Sequence, residues 1–543
     1  MRHSTAMIIL IALWAALYLP GLGEPELRGE EGRRILPARE MLRRGEYVVP
    51  YSEGRPYHRK PPGINWSIAA FFKLTGEQNG WTARLPSVLG LLGLAVVGWW
   101  TGKAFGGPSM AWAMATALLI NVGMAEKARL IEIEALYVSL AGMGMLLWMG
   151  SWVGGVSVVR LWLVTVIPFA LANLVKGPVY LLFFYAFVLV ALKRSGRLRD
   201  LRHPAHWLSL ALALAPMIWW GYVVQQRMLE MPALPPVVDE DGNSISLRSP
   251  GDVWWQQIAG RLTFQNINAG DWAQLPFRVV LMFCPWPLLA GWLAWKHRSQ
   301  PRRCDRVSIL RSALGWGSLV SCALFCLLPS TRARYLMAAL APVCAWSVLT
   351  IFAWWSGRER ARPLLLALVS LAALSVPWWL PLESPVRVVA WNACGVLISW
   401  IAWNGLRLVS QPLRLFVQLL PPMLLLVLLL VTTIQPVLNL HENVRPTAEK
   451  ILLHTTQPGS IAAISPGPQP FLFYLGKRCV EVAKISELPP DTSYLLISPQ
   501  SWADDDFRTR LAGRGFTELL TSVTDQRFDP GQGREYLLIG KVL

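Results

Sequence analysis

The sequence is short of charge. Asp, Glu, Lys and Arg make up 15% of its 543 residues, where a soluble globular chain carries about 25%. Cysteine is sparse and odd in number, with seven residues (284, 304, 322, 326, 344, 394 and 479) that lie mostly in apolar runs. No Cys-x-x-Cys and no Cys/His cluster occurs, so neither a disulfide framework nor a zinc site is indicated. Solenoid-period repeats and low-complexity segments are also missing. These absences exclude a disordered chain, a disulfide-stapled secreted domain and a repeat array. What is present is apolar: 54% of residues are hydrophobic and 28 are Trp. That composition belongs to a polytopic membrane protein.

A net charge of +18 invites a nucleic-acid reading, but the location of the charge argues against one. From His441 onward eleven Lys/Arg stand against twelve Asp/Glu. The polar tail is near neutral and the excess sits among the apolar runs. That is the footprint of membrane topology, so the expected partner is a lipid bilayer and no nucleic acid.

A helix needs about 20 mostly apolar residues to cross a bilayer. Candidate spans fall at 5–22, 84–102, 107–124, 135–151, 158–174, 177–192, 206–224, 276–295, 309–328, 335–355, 363–381, 386–403 and 415–435. The connection after the sixth carries Lys193, Arg194, Arg197, Arg199 and Arg202. The next basic one carries Lys296, Arg298, Arg302, Arg303, Arg306 and Arg311. Arg358, Arg360 and Arg362 follow the tenth span, and Arg407 and Arg414 the twelfth. All fall on one side, so the positive-inside rule predicts a multi-pass inner (plasma) membrane protein with a cytoplasmic N-terminus. The acid-rich loop 225–275 and the C-terminal region are then extracytoplasmic. Residues 1–22 read as a first span, because no clear small-x-small cleavage site follows Tyr18.

The expected architecture is all-α and polytopic over 1–436, with outer loops 23–83 and 225–275. A small extracytoplasmic α/β domain follows over 437–543. In it 444–455 has helical spacing, and 461–465, 494–498 and 536–542 read as strands between Gly/Pro turns. It carries no catalytic motif.

Ionisable groups beside apolar spans are costly and mark functional sites by default. Four clusters stand at the predicted outer face. They are Glu30-Glu31-Gly32-Arg33-Arg34 with His58-Arg59-Lys60-Pro61-Pro62; Glu126-Lys127-Ala128-Arg129 with Glu132 and Glu134; Lys176-Gly177-Pro178; and Arg332-Ala333-Arg334-Tyr335. Carboxylates with fixed cations at a membrane surface suit sugar transfer from a lipid phosphate. A carboxylate takes the acceptor hydroxyl's proton, and cations stabilise charge on the leaving phosphate. Each cluster also has a plainer reading. The first is a solvated helix face, and Glu126, Arg129 and Glu132 are helix ion pairs at i, i+3 spacing. Lys176 snorkels, and Arg332 and Arg334 meet lipid headgroups. Composition and spacing leave both open.

The stretch 30–66, EEGRRILPAREMLRRGEYVVPYSEGRPYHRKPPGINW, resembles the signature loop of bacterial glycosyltransferases that use polyprenyl-phosphate sugars. These include the lipid A aminoarabinose transferases and relatives of the protein O-mannosyltransferases, all of the GT-C membrane fold. Arg129-Leu130 with Glu134 resembles the family's second acidic motif, and Lys176-Gly177-Pro178 its Lys-Gly-Pro. Arg332 to Tyr335 with Pro342 resembles its Arg/Lys-x-x-Tyr helix, and FCPWPL at 283–288 its Pro-Trp span start.

This resemblance implies an inverting transferase that moves a sugar from a polyprenyl-phosphate donor to a lipid A, glycan or protein hydroxyl. It implies Glu30, with Glu31 beside it, and Glu134 as the catalytic acids. Lys60, Arg332, Arg334, Tyr335 and Lys176 would bind the donor phosphate, and Arg33, Tyr57, Arg129 and Glu132 would contact substrate. Both family acids are usually Asp, so Glu at 30 and 134 leaves open which one is the base. Arg59 stands where aminoarabinose transferases often have Glu, so no metal or amino-sugar contact is assigned there. No cofactor is assigned, and a divalent metal is left open but not indicated. The competing class is a transporter or flippase for a lipid-linked or charged substrate. It would place charges near mid-span with paired half-repeats, and neither is evident.

Overall fold

The computed structural model describes residues 3–230 apart from 53, the short pieces 237–238, 244–245, 251 and 254–255, and 269–355 apart from 301–303 and 329–330. It also describes 412–541, apart from 418–419, 421–422, 425–426, 428–430, 432–434, 443, 457–458, 465–468, 477–478 and 526–533. The expected spans 363–381 and 386–403, most of 415–435 and most of the loop 225–275 lie outside the described residues.

Apolar runs become helices because a helix satisfies its own backbone hydrogen bonds where water cannot. Among the described residues, six helices are long and apolar enough to cross a membrane: Gly80–Gly106, Ile133–Gly154, Val158–Val175, Pro204–Glu230, Arg306–Leu327 and Ala333–Trp354. Shorter apolar helices cover His3–Tyr18 and Pro108–Leu119.

Two expected spans are broken. The run 276–295 forms Trp272–Phe283 and Trp286–Lys296, bent by 97°. The break falls at Pro285, which lacks the N–H that would continue the ladder. The run 107–124 stops at Leu119 and restarts as Val122–Lys127. There the Asn121 side chain accepts from the Met124 N–H at 3.4 Å and donates to the Phe283 carbonyl at 3.0 Å.

The chain divides into two contact units. The first holds Met1–Pro20, Arg59–Gly63 and Pro86–Val431. Its central helix, Ile133–Gly154, is buried along most of its length. Indole and phenol groups that the apolar interior cannot solvate find backbone carbonyls. Trp14 donates to Val88 at 2.8 Å, Tyr18 to Leu119 at 2.6 Å and Trp286 to Ile120 at 2.6 Å.

The second unit holds Gly21–His58, Ile64–Leu85 and Thr432–Leu543. The loop expected at 23–83 is therefore largely helical, with Gly32–Arg44 and Gly63–Thr75, and it is grouped with the C-terminal residues. The C-terminal sheet runs Cys479–Val482, Ser460–Ile464, Thr492–Ile497, Arg534–Lys541, Phe516–Asp525 in spatial order. The first three strands are parallel and the last two pairings antiparallel. Ala462, Leu495, Ile497, Leu511, Phe516 and Ile539 form its core. The three expected strands and the helix at 444 are present. The strands Cys479–Val482 and Phe516–Asp525 were not expected, since CVEV is short and TELLTS alternates weakly.

Candidate functional site

In the first unit the charged groups gather where helices begin and end. Glu134 lies in the first turn of Ile133–Gly154, and Lys176 is the C-cap of Val166–Val175. Arg334 and Tyr335 lie in Ala333–Leu336, with Arg332 as its N-cap. Lys176 Nζ stands 3.2 Å from a Glu134 oxygen, both side chains 8% exposed, and Arg334 Nε stands 3.8 Å from the same oxygen. The Lys176 ammonium also lies 5.4 Å from the Tyr137 ring centre and 5.0 Å from that of Tyr335. Two π-faces and a carboxylate thus hold one cation.

The segment carrying Lys60 is brought to the same helix end by Gly63. A Cβ on Gly63 would sit 2.7 Å from the Leu174 carbonyl oxygen. Only glycine allows that backbone approach, and it lays Gly63, three residues after Lys60, against Leu174 and Val175, next to Lys176. Three segments far apart in sequence, at 133–137, 174–176 and 334–335, thus make direct contacts at one end of the bundle, and Gly63 is packed beside them.

The second acidic motif divides its labour. Glu132 is an N-cap residue with extended backbone, and Lys127 bridges it at 3.1 Å to Glu126 at 3.0 Å. Burial pushes the Glu132 carboxyl above its usual range, against the pull of Lys127. The Lys127 ammonium is held up by Glu126 and Glu132 although burial acts to lower it. Arg129 reaches back to the first helix. It donates to the carbonyls of Leu17 and Tyr18, at 3.5 and 3.2 Å, and to that of Pro20. These are orphan carbonyls at and after the end of the helix His3–Tyr18, so its guanidinium closes a helix end.

In the second unit, Glu30 is 25% exposed and faces Arg34 at 3.4 Å and Arg33 at 3.7 Å. Arg34 also donates to the Tyr57 hydroxyl at 3.0 Å. Its backbone carbonyl accepts from Asn65 at 2.8 Å. Glu31 points elsewhere. Arg84 binds both of its oxygens at 3.0 to 3.2 Å, with side chains 0% and 1% exposed. Arg84 continues to the carbonyls of Leu22 and Pro25, and Glu31 accepts from the Arg28 N–H. Such a buried, multiply bonded pair fixes the loop beside Glu30.

Arg84 and Tyr137 were missed in the sequence. Tyr137 had a signal, three residues after Glu134 on one helix face. Arg84 had none, since its partner is 53 positions away. Among the described residues no group of three His, Cys, Asp or Glu is placed to hold a metal ion.

Residues 59–221 match the family described as dolichyl-phosphate-mannose-protein mannosyltransferase. No curated protein matches the chain by sequence. Among solved structures, ArnT from Cupriavidus metallidurans bound to undecaprenyl phosphate is 17% identical, with a TM-score of 0.72 over 100% of this chain and 99% of that one. The same protein in its apo state gives 17% and 0.69 over the same shares. The chain therefore has the GT-C membrane fold of ArnT with its small C-terminal sheet domain, and its segment 59–221 falls within the mannosyltransferase family match.

Proposed function

We propose that the protein is an inverting glycosyltransferase that moves one sugar from a polyprenyl-phosphate donor to a hydroxyl acceptor at the outer face of the inner membrane. The observation that carries this reading is the collection of Lys176, Arg334 and Tyr335 around Glu134, with the Lys60 segment packed beside them by Gly63. Clustered fixed cations beside a membrane are suited to a phosphate that gains charge as it leaves. The undecaprenyl phosphate bound in the similar ArnT structure, a polyprenyl phosphate like the proposed leaving group, supports this reading.

In the proposed step the acceptor oxygen attacks the anomeric carbon. The bond from that carbon to the phosphate oxygen breaks, and its electron pair leaves with the polyprenyl phosphate. Lys60, Lys176 and Arg334 stabilise that anion, with Tyr335 and Arg332 assisting. The acceptor proton passes to a carboxylate, which we assign to Glu30. Glu134 is already committed to two cations and holds them in place, whereas Glu30 is more open, with a side chain 25% exposed that faces Arg33 and Arg34 of the following helix. Arg33, Tyr57 and Glu132 remain as substrate contacts. A phosphate leaves without protonation, so one base suffices, unlike the carboxyl pair of a glycosidase.

Mass spectrometry of surface lipids and proteins from a deletion strain identifies the missing sugar and its attachment point. Complementation with Glu30→Gln or Lys60→Ala is expected to leave that sugar missing with normal amounts of folded protein. Wild-type transfer by both variants would refute the site. Uptake or flipping by reconstituted protein without any sugar transfer would favour the transporter class instead.

A further inference from the structure

The C-terminal domain lacks a catalytic motif, yet side chains from the loop finish its helices. The Glu26 carboxylate accepts from the N–H groups of Val444 and Arg445, at 2.8 and 3.2 Å. Those groups open the helix Val444–Leu453, where N–H groups have no intrahelical partner and a negative charge is favoured. Arg39 acts at an opposite kind of end. Its guanidinium donates to the carbonyls of Leu472, Phe473 and Gly476, at 2.9, 3.4 and 3.4 Å, at and after the helix Phe471–Tyr474. It also pairs with the fully buried Glu481 at 3.6 Å.

Four further contacts tie residues 24–54 to the C-terminal residues. The Tyr474 hydroxyl accepts from the Leu27 N–H at 2.9 Å. Asn439 accepts from the Glu26 N–H at 3.1 Å and donates to the Glu24 carbonyl at 2.8 Å. Gly54, at φ +72°, presses its backbone on Val482 and Ala483, where a Cβ would come within 2.6 Å. Residues 24–27 and 39 lie on both sides of Glu30.

We infer that the C-terminal domain is a splint for the Glu30 segment, and that Glu26 and Arg39 are positioning residues through which it sets the place of that carboxylate. The inference rests on the assignment of Glu30 as base. Misplacing a reacting group by about 1 Å can cost on the order of 100-fold in rate. A loop released from its splint would be expected to lose that much without losing donor binding.

The test uses the full-length protein. Hydrogen exchange, undecaprenyl phosphate affinity and in-cell transfer are measured for wild type, Glu26→Gln, Arg39→Ala and Arg39→Lys. Expected are faster exchange over 24–36 with the membrane helices unchanged, wild-type affinity, and transfer reduced about 100-fold in Arg39→Ala. Arg39→Lys, which keeps the charge and a donor, should recover part of the rate. Unchanged exchange over 24–36, or wild-type transfer by both Arg39→Ala and Glu26→Gln, overturns the splint. Glu30→Gln separates the two readings. If it is inactive while Arg39→Ala transfers normally, the splint alone fails; if it transfers normally, the base assignment fails, and exchange alone decides the splint.

Discussion

Arg84 offers the sharpest structural test. It makes three contacts of 3.0 to 3.2 Å with Glu31 and two more, of 3.0 and 3.1 Å, with the carbonyls of Leu22 and Pro25. Both side chains are shielded from water. Arg84→Ala strands a buried carboxylate and two carbonyls together, and removing one partner of such a pair costs about 3–5 kcal/mol. For a unit of roughly 150–250 residues each kcal/mol lowers the midpoint by about 2–4 °C. A fall of at least about 6 °C is therefore expected. Thermal unfolding followed by Trp fluorescence in detergent reads it directly. The double variant Arg84→Met with Glu31→Leu removes both charges, and should recover most of the loss because no ion remains unpaired. A midpoint for Arg84→Ala within a degree or two of wild type would refute the reasoning, as would a double variant worse than the single.

Three further outcomes are expected. Gly63→Ala drives a methyl group against the Leu174 carbonyl, so it should displace the Lys60 segment and weaken undecaprenyl phosphate binding at least several-fold in a direct titration. Tyr137→Leu removes one ring from Lys176 and the hydroxyl that accepts from the Tyr180 N–H at 2.8 Å. It should weaken the same binding more than Tyr137→Phe, which keeps the ring. The Glu40 carboxyl is raised by burial but more than offset by hydrogen bonds and charge from Arg43 and Arg44, leaving it below its usual value. Its contribution is thus present above the unfolded pKa, about 4.3, and is lost as pH falls through the folded value. Glu40→Gln should be less stable than wild type near neutral pH, with the gap closing below about pH 4 in melts across pH.

The long spans among the described residues were legible because length and apolarity alone decide whether a segment must be helical in lipid. The bend at Pro285 was less so, since proline is tolerated inside many membrane helices and Pro86 and Pro216 sit within unbroken ones. The charged clusters were legible as positions but not as partners. Glu30 and Glu31 are neighbours of the same type, and nothing local says that Arg84 takes one and leaves the other. Arg129 fits a motif, yet its guanidinium serves carbonyls more than 100 positions earlier. Glu26 and Arg39 have partners more than 400 positions away. Helix ends advertise their needs only when the cap is adjacent, as with Asp504 before Asp505–Ala512. A cap supplied from the far end of the chain leaves no spacing to read.

The same physics bears on why so many cations fall in segments that the proposed topology assigns to the outer side, which the positive-inside rule would leave free of them. Lys127, Lys176, Arg33 and Arg34 each have a carboxylate within 4 Å. Acids do little to offset the topological cost of Lys and Arg during insertion, so pairing does not remove the penalty. It does make the folded ions tolerable, since a desolvated charge needs an opposite partner. Such pairs are weak contributors to stability against apolar residues of similar size, and apolar residues would satisfy both topology and packing at these positions. Their presence therefore needs a use beyond holding the fold. The proposed site for an anionic lipid phosphate, with cations already placed by carboxylates and tyrosine rings, would supply that use without reorganisation at the moment of reaction.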